Sequence, residues 1–531
     1  MRSPSLVAGQ VGLVLLVVAG SVGAAPELAL ERVQRGGFVL VGNTLGFDCS
    51  ALTQTIFEGD AGLVPAPLSG TANCAAAYEG AGVERTGADD FALDLYWTRA
   101  NEVVVATAVD DPATAESGAA LALPERARVT AARLYWAGYL PRETATAPLL
   151  ADEVVGLRAP GAVAAAPKEI RAERTWTATR CQNQPDGCLD EEGDAYGYYY
   201  QGTADVTALV QQQGAGVYSV TGVDSAADVL GEDEAAIAAW WMVVLYEPSG
   251  AATGAILDIR VLHGLDVIGF DAARTDEGIT VPLPGLGAGE GPTRSVQLGL
   301  VGYDGDAWIG GDAVLVGGAA LPNASGNPYN FFDSSRTIDG EPVSAAGDFP
   351  RLSGATRSLA GLDLDVVSVT PDPSSEGAPS ISFTSGYDRY LVGGLVIATP
   401  TTAPLLEATL AVAPADGGEF VAGGTVRYEL VVTNVGDGPL SELTLFDEHS
   451  PQLTLDLESV RLSNSGGAGE AEVSPDGDGL VVRAGPSGNA AEGALPPGAT
   501  LTISYEALVD PALTGCASLP CAITSQVTVQ G

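Results

Sequence analysis

The sequence predicts an all-β protein: a large N-terminal β-sandwich region, as one body or two joined lobes, followed by an immunoglobulin-like β-sandwich. Three observations carry this reading. Short apolar runs recur along the chain, several with period-two alternation such as Ala131-Ala132-Arg133-Leu134-Tyr135-Trp136, the pattern of a half-buried strand. Between the runs, 68 glycines and 33 prolines shorten elements and multiply turns. Helix signals are sparse, and many short strands with turn signals between them pack as sheet on sheet.

Charge narrows the function classes. The 531 residues carry 24 Lys+Arg against 67 Asp+Glu, a formal net charge of −43, and Lys168 is the only lysine. Charged residues make up 17% of the chain, against about 25% in an average soluble domain. The negative balance is therefore a shortage of bases. Nucleic acid is excluded as a partner, because displacing counterions from phosphates needs clustered Lys and Arg. A polybasic lipid-binding surface is excluded on the same ground. Disorder does not fit a chain that is 46% apolar.

Taken in order, residues 1–24 read as a signal peptide. Arg2 supplies the basic start, Val11 to Ala19 an apolar core too short to span a bilayer, and Val22-Gly23-Ala24 the small residues before cleavage. No later stretch is long and apolar enough to span, so the mature chain is expected to lack a transmembrane segment. The expected location is secreted or cell-surface. Six cysteines fall as three close pairs, Cys49 with Cys74, Cys181 with Cys188, and Cys516 with Cys521. Disulfides closing short loops suit an exported protein. Zinc would need C-x2-C spacing or nearby histidines, and the only histidines are His263 and His449.

Residues 25–400 form the first region, with a sub-boundary near 250. Its expected strands are Phe38–Val41, Glu102–Ala106, Val129–Trp136, Val217–Val220, Trp241–Tyr246, Ile256–Leu262, Ser295–Leu300, Ala313–Val316, Val366–Val369 and Leu391–Ile397. Trp241–Tyr246 is continuously apolar, as a strand buried on both faces requires. Asp205 caps a helix that Gly214 stops, and Ala226–Ala239 is a second helix candidate. The Thr/Pro-rich run from Ile397 to Pro404 is an extended connection. Residues 401–531 then match the size of one immunoglobulin-like sandwich.

Ala422 to Gly436 (AGGTVRYELVVTNVG), Leu443 to Glu448 (LTLFDE) and Leu495 to Ile503 (LPPGATLTI) carry a resemblance. Together they resemble the bacterial "domain of unknown function eleven" repeat: a glycine-rich turn, a strand ending in Thr-Asn before a glycine, and a late strand after a Pro-Gly turn. Asp447-Glu448-His449 departs from the acidic-plus-proline turn of that repeat. The resemblance implies an immunoglobulin-like module in exported surface proteins, used as a spacer or for adhesion, with no catalytic residues. Gly42 to Gly46, Ala132 to Gly138, Asn327 to Ser335, Gly361 to Asp365 and Asp388 to Tyr390 are similar in order to exported bacterial proteins bearing that repeat. Some of those, in myxobacteria, are named for adventurous gliding motility.

Chemistry-bearing candidates are few. Asp304, Asp306 and Asp312, in Asp304-Gly305-Asp306-Ala307-Trp308-Ile309-Gly310-Gly311-Asp312, alternate acids with glycine as a calcium loop does. They lack the closing glutamate of an EF-hand and equally suit a hydrated turn. Asp476-Gly477-Asp478-Gly479 and Asp190 to Asp194 are weaker versions. Tyr196, Tyr198, Tyr199 and Tyr200 offer rings with polar tips for a sugar or protein partner, or pack inward. Phe331 or Phe332 pins a loop to the core, and Trp240-Trp241 splits between core and edge. There is no G-x-S-x-G or H-E-x-x-H motif. No catalytic residues and no cofactor beyond calcium are expected. The reading is an exported, non-catalytic structural or adhesion protein that meets an extracellular protein or polysaccharide. The alternative is a secreted carbohydrate-binding or carbohydrate-active protein.

Overall fold

A computed structural model describes residues 26–48, 95–101, 107–109, 111–142, 144, 147–162, 165–179, 197–226, 237–249, 254–269, 278–283, 295–307, 309–323, 326–370, 379–440, 443–448, 452–465, 471–476, 479–484, 495–512 and 526–530. They fall into two compact units, one ending at Pro400 and the other running from Thr401. The protein is all-β. Among the described residues the one α-helix is Thr207–Gln213, and no helix is long and apolar enough to cross a membrane.

That helix forms where the sequence placed it, but its N-cap is corrected from Asp205 to Val206, which makes no side-chain capping bond. The Asp205 carboxylate, one residue earlier, accepts the Thr207 amide at 2.7 Å, and Gly214 ends the helix with φ 73°. The second helix candidate is corrected at its end, because Ala238 and Ala239 open the strand Ala238–Glu247. Residues 227–236 lie outside the described residues, as does the expected strand Glu102–Ala106.

The larger unit stacks four sheets. An outer sheet joins Gly46–Asp48, Leu95–Arg99, Glu116–Leu121, Gly216–Thr221, Val154–Arg158 and Lys168–Arg171 in that order, with Thr107–Ala108 beside Leu95–Arg99. Next comes a five-stranded sheet ordered Arg174–Thr179, Tyr198–Asp205, Arg128–Leu140, Ala238–Glu247, Gly37–Thr44. Behind it lies a seven-stranded sheet ordered Glu27–Arg35, Ile256–Ile268, Tyr390–Thr401, Val296–Tyr303, Leu362–Val369, Arg336–Ile338, Glu341–Pro342. A four-stranded sheet of Ile279–Pro282, Ser380–Ser385, Asp312–Val316 and Ala319–Ala320 closes the stack.

The layering explains the long apolar run. Ala238–Glu247 is the penultimate strand of a sheet covered on both faces, so its side chains are buried from Ala238 to Leu245. Trp240 reaches one way, its Nε1 donating to Ser117 Oγ of the outer sheet at 3.0 Å. Trp241 reaches the other way and donates to Tyr303 Oη of the seven-stranded sheet at 2.7 Å. The expectation that one tryptophan would sit at an edge is corrected: both are fully buried, because each face of this strand meets another sheet. Gly299 allows the two middle sheets to approach, since a Cβ there would stand 2.8 Å from both Leu40 and Phe38.

The seven-stranded sheet has two apolar faces. Val301, Leu362 and Leu364 pack toward the five-stranded sheet, while Val296, Leu298, Leu300, Val367 and Val369 join Val314, Val316, Ile381 and Phe383 in a separate core. The first two inward positions of the Leu362–Val369 strand on that second side are Asp363 and Asp365.

The C-terminal unit holds two four-stranded sheets. One is ordered Leu406–Pro414, Thr425–Asn434, Thr500–Val509, Leu453–Ser465; the other Ala471–Asp476, Gly479–Ala484, Leu443–Glu448, Gln526–Gln530. Its core centres on alternate residues Val426, Tyr428, Leu430 and Val432 facing Leu501, Ile503 and Tyr505, with the Tyr428 and Tyr505 rings stacked at 5.0 Å. Buried Asn434 fixes the following turn: its Oδ1 accepts the Gly436 amide at 2.9 Å, and its Nδ2 donates to Gly438 and Leu495 carbonyls.

Candidate functional site

The acid-rich segment after Tyr303 crosses from the seven-stranded to the four-stranded sheet. Strand Val296–Tyr303 ends at Asp304, whose φ of 62° turns the chain sharply; aspartate tolerates this left-handed conformation better than most residues. The Asp304 amide donates to the Gly361 carbonyl at 2.8 Å, and its Oδ2 accepts Tyr199 Oη at 2.7 Å. The loop re-enters a strand at Asp312, preceded by Gly311 with φ 136°. A Cβ on Gly311 would lie 2.7 Å from the Tyr387 amide, so the backbones touch there.

Two backbone hydrogen bonds gather three segments at this point. Gly311 donates to the Tyr329 carbonyl at 2.7 Å, and the Gly386 amide donates to the Gly311 carbonyl at 2.8 Å. The first bond brings Asn330 to the loop, where its Nδ2 donates to the Asp306 carbonyl at 3.1 Å. The second brings Asp388. Asp312 Oδ2 accepts the Phe332 amide at 2.7 Å, and Asp388 Oδ1 accepts the Arg389 amide at 2.6 Å.

Each of these side chains keeps one buried oxygen without a hydrogen-bond partner: Asp312 Oδ1, Asp388 Oδ2 and Asn330 Oδ1. Burial pushes Asp312 up to about 6, against the pull of the Phe332 amide. Burial, then the charges of Asp306, Asp312 and Asp304, push Asp388 up to about 9. Asp306 is half-buried.

A second acidic group lies alongside. Asp363 and Asp365 occupy alternate positions of one strand, so both face the same side, toward Asp333. Asp333 Oδ2 accepts from Thr356 Oγ1 at 2.6 Å and Asn323 Nδ2 at 2.8 Å. Asp363 Oδ1 accepts the Ser335 amide at 2.9 Å, and Asp365 Oδ1 accepts Thr337 Oγ1. Burial raises the proton affinity of Asp363 and Asp365, and the neighbouring carboxyls add to it. Among the described residues no guanidinium or ammonium pairs with Asp312, Asp333, Asp363, Asp365 or Asp388. Among the described residues, too, no three His, Cys, Asp or Glu side chains stand together as a ready metal cage.

Other candidates take different places. Tyr198, Tyr199 and Tyr200 are buried, which corrects their reading as a binding surface. Their strand lies inside the five-stranded sheet, and the hydroxyls are spent internally on Leu150 O, Asp304 Oδ2 and Asp224 O. Phe331 and Phe332 are both buried and meet edge to face at 5.1 Å. His263 is 5% exposed, between Tyr135 and Trp176, and burial holds it down at about 4. Tyr196, Cys49, Cys74, Cys181, Cys188, Cys516, Cys521, His449, Asp478 and Asp190 to Asp194 lie outside the described residues.

Asn330, Asp333, Asp363, Asp365 and Asp388 fall in runs that carry the resemblance but were not expected as site residues. Their signal was local context: each acid stands among large apolar or aromatic residues, as in Phe331-Phe332-Asp333 and Tyr387-Asp388-Arg389-Tyr390, where a solvated turn would have small polar neighbours.

The architecture defines an all-β chain with a four-sheet unit and a smaller two-sheet unit. No protein-family model matches the sequence, and no curated protein is similar to it. Solved structures with partial likeness include the N-terminal domain of a Streptococcus gordonii adhesin, at 11% identity and TM-score 0.23, covering 53% of this chain and 74% of that one. The T6 backbone pilin of serotype M6 Streptococcus pyogenes aligns at 11% identity and TM-score 0.18, over 48% of this chain and 64% of the pilin. A protein described as membrane-anchored, from Corynebacterium diphtheriae, aligns at 8% identity and TM-score 0.16, over 82% and 86%.

Proposed function

We propose that this chain is an exported, non-catalytic protein of the cell envelope or extracellular space, with a structural or adhesive role. One observation carries the reading. Side chains able to do chemistry are used as struts between sheets. Tyr199 ties the five-stranded sheet to Asp304, and Trp241, Tyr303 and Gln201 form one hydrogen-bonded line across the central interface. Glu116 is bound by Arg158, Ser219 and Asn101 inside the outer sheet. Such investment gives a rigid body, which suits a surface component that bears load or presents a partner-binding face. The N-terminal sequence supports export, and the resemblance of residues 401–531 to an immunoglobulin-like surface repeat supports a spacer or adhesive module.

The test is location followed by capture. Fractionating cells and medium should place the mature chain outside the cytoplasm, with residue 25 at its N-terminus. Cross-linking on intact cells should then recover an envelope or matrix component. Recovery from the cytoplasm with residues 1–24 intact overturns the reading. A glycan array with saturable binding and release of reducing ends would replace it with the carbohydrate-active alternative.

A further inference from the structure

We propose that Asp312, Asp388 and Asn330 form a binding site for a hard divalent cation of the calcium class, with Asp306 at its mouth. Three chain segments meet here, and each supplies one oxygen that the protein itself leaves without a hydrogen bond: Asp312 Oδ1, Asp388 Oδ2 and Asn330 Oδ1. Their residues are 0%, 4% and 6% exposed. A buried polar atom without a partner costs about 1–3 kcal/mol, and one cation drawing an oxygen from each segment would satisfy all three.

Asn330 is the independent witness. It is neutral, so mutual attraction or repulsion among acids does not explain its placement. Its Nδ2 is anchored on the Asp306 carbonyl, which holds its Oδ1 beside the loop, 3.6 Å from where a Gly310 Cβ would stand. No guanidinium or ammonium pairs with Asp312 or Asp388 among the described residues. No cationic side chain among the described residues therefore offsets a charge on either carboxyl.

The donor set selects the ion. All three donors are oxygens, whereas zinc favours thiolate and imidazole nitrogen. Magnesium demands near-octahedral geometry and keeps its water, while calcium accepts six to eight oxygens from carboxylates, amides, backbone carbonyls and solvent in irregular loops. Since no three acidic side chains stand together as a cage, the ligand set is two carboxylates with neutral oxygens. Asp306, half-buried, guides the ion in by its field.

The experiment uses the full chain, stripped with chelator and dialysed into about 150 mM NaCl to suppress diffuse counterion binding. Calcium chloride is titrated by calorimetry, and Tb³⁺ by aromatic-sensitised emission, with Tyr390 close enough for Asp312 and Asp388 to perturb it. One saturable site is expected, with magnesium at least tenfold weaker. Asp388→Asn keeps the shape and should weaken calcium at least tenfold; Asn330→Ala should do likewise. Asp306→Asn, at a half-buried position, should weaken it about threefold. The control Asp416→Asn, on an exposed turn of the other unit, should change nothing. Absence of a saturable site at millimolar calcium overturns the proposal. So does equal affinity in wild type, Asp306→Asn and whichever of Asp388→Asn and Asn330→Ala folds, which would mean diffuse ion attraction to a chain of charge −43.

Discussion

Glu116 is 2% exposed and is met from three sides, by Arg158 Nε at 3.0 Å, Ser219 Oγ at 2.7 Å and Asn101 Nδ2 at 2.8 Å. Burial pushes its carboxyl up, yet those hydrogen bonds together draw it below the ordinary range. Its contribution is thus present above that range and lost as pH falls through the lowered value. Removing one member of a buried ion pair strands the other, so Arg158→Met should cost about 3–5 kcal/mol in urea unfolding. Asp266 behaves in the opposite sense. Burial, then the charge of Glu27, push it up to about 7. Its folded form holds a proton that the unfolded chain releases near pH 4, so its stabilisation is full below that pH and is lost as pH rises through about 7. Asp152, raised by burial to about 6, acts with the same sign. Melting temperature should therefore fall between about pH 4 and pH 7, and Asp266→Asn should flatten that fall by about 2–4 °C, the equivalent of about 1 kcal/mol. An unchanged slope in the variant would contradict this.

At the scale of elements, close approach between the middle sheets makes a sharp expectation. Gly299 has an ordinary strand conformation, so Gly299→Ala is penalised by collision, chiefly with Leu40 and Phe38 at 2.8 Å and less with Val396 at 3.2 Å. Overpacking of this kind costs about 1–3 kcal/mol; pairing it with Leu40→Ala should recover part of the loss in a double-mutant cycle. Most strands were legible in the sequence because period-two apolar runs and glycine punctuation are local signals. Arg128–Leu140 and Tyr390–Thr401 each contain an expected run and extend beyond it. The helix was legible from Asp205 and Gly214. The number of layers was not, because nothing local tells a strand covered on both faces from one covered on a single face. That is why Trp240 and Trp241 are split between core and edge in the sequence reading, and why the tyrosines of Tyr198–Asp205 are open to a surface reading beside the favoured inward one. The acidic site was half legible. Asp304, Asp306 and Asp312 share one loop, whereas Asn330 and Asp388 reach it only through backbone pairing with Gly311. Asp363 and Asp365 alternate with leucines, a pattern whose polar half normally faces water; here a further sheet covers it.

For the molecule as a whole, separate cores set the behaviour of the two units. Among the described residues, the C-terminal core of Val426, Tyr428, Leu430 and their facing residues shares no member with the cores of the larger unit. A chain ending at Pro400 should keep the larger unit's calorimetric transition within about 2 °C, a shift that corresponds to less than about 1 kcal/mol. Loss of that transition would show the units to be one cooperative body. The order in which the larger unit can assemble follows from its edge. Glu27 pairs with His263, and Arg35 with Ile256, in one antiparallel ladder. The first of the described strands thus waits for its neighbour until more than 200 residues have followed it. Contacts of such span make folding slow, and an early strand with open backbone groups invites wrong pairing in the meantime. Nascent chains halted before residue 256 should bind a holdase and aggregate without it, whereas chains extended past 268 should gain a protease-resistant N-terminus. Time spent unpaired leaves one edge of the central sheet open until its partner is made, and the fold builds that delay into the earliest of its described strands.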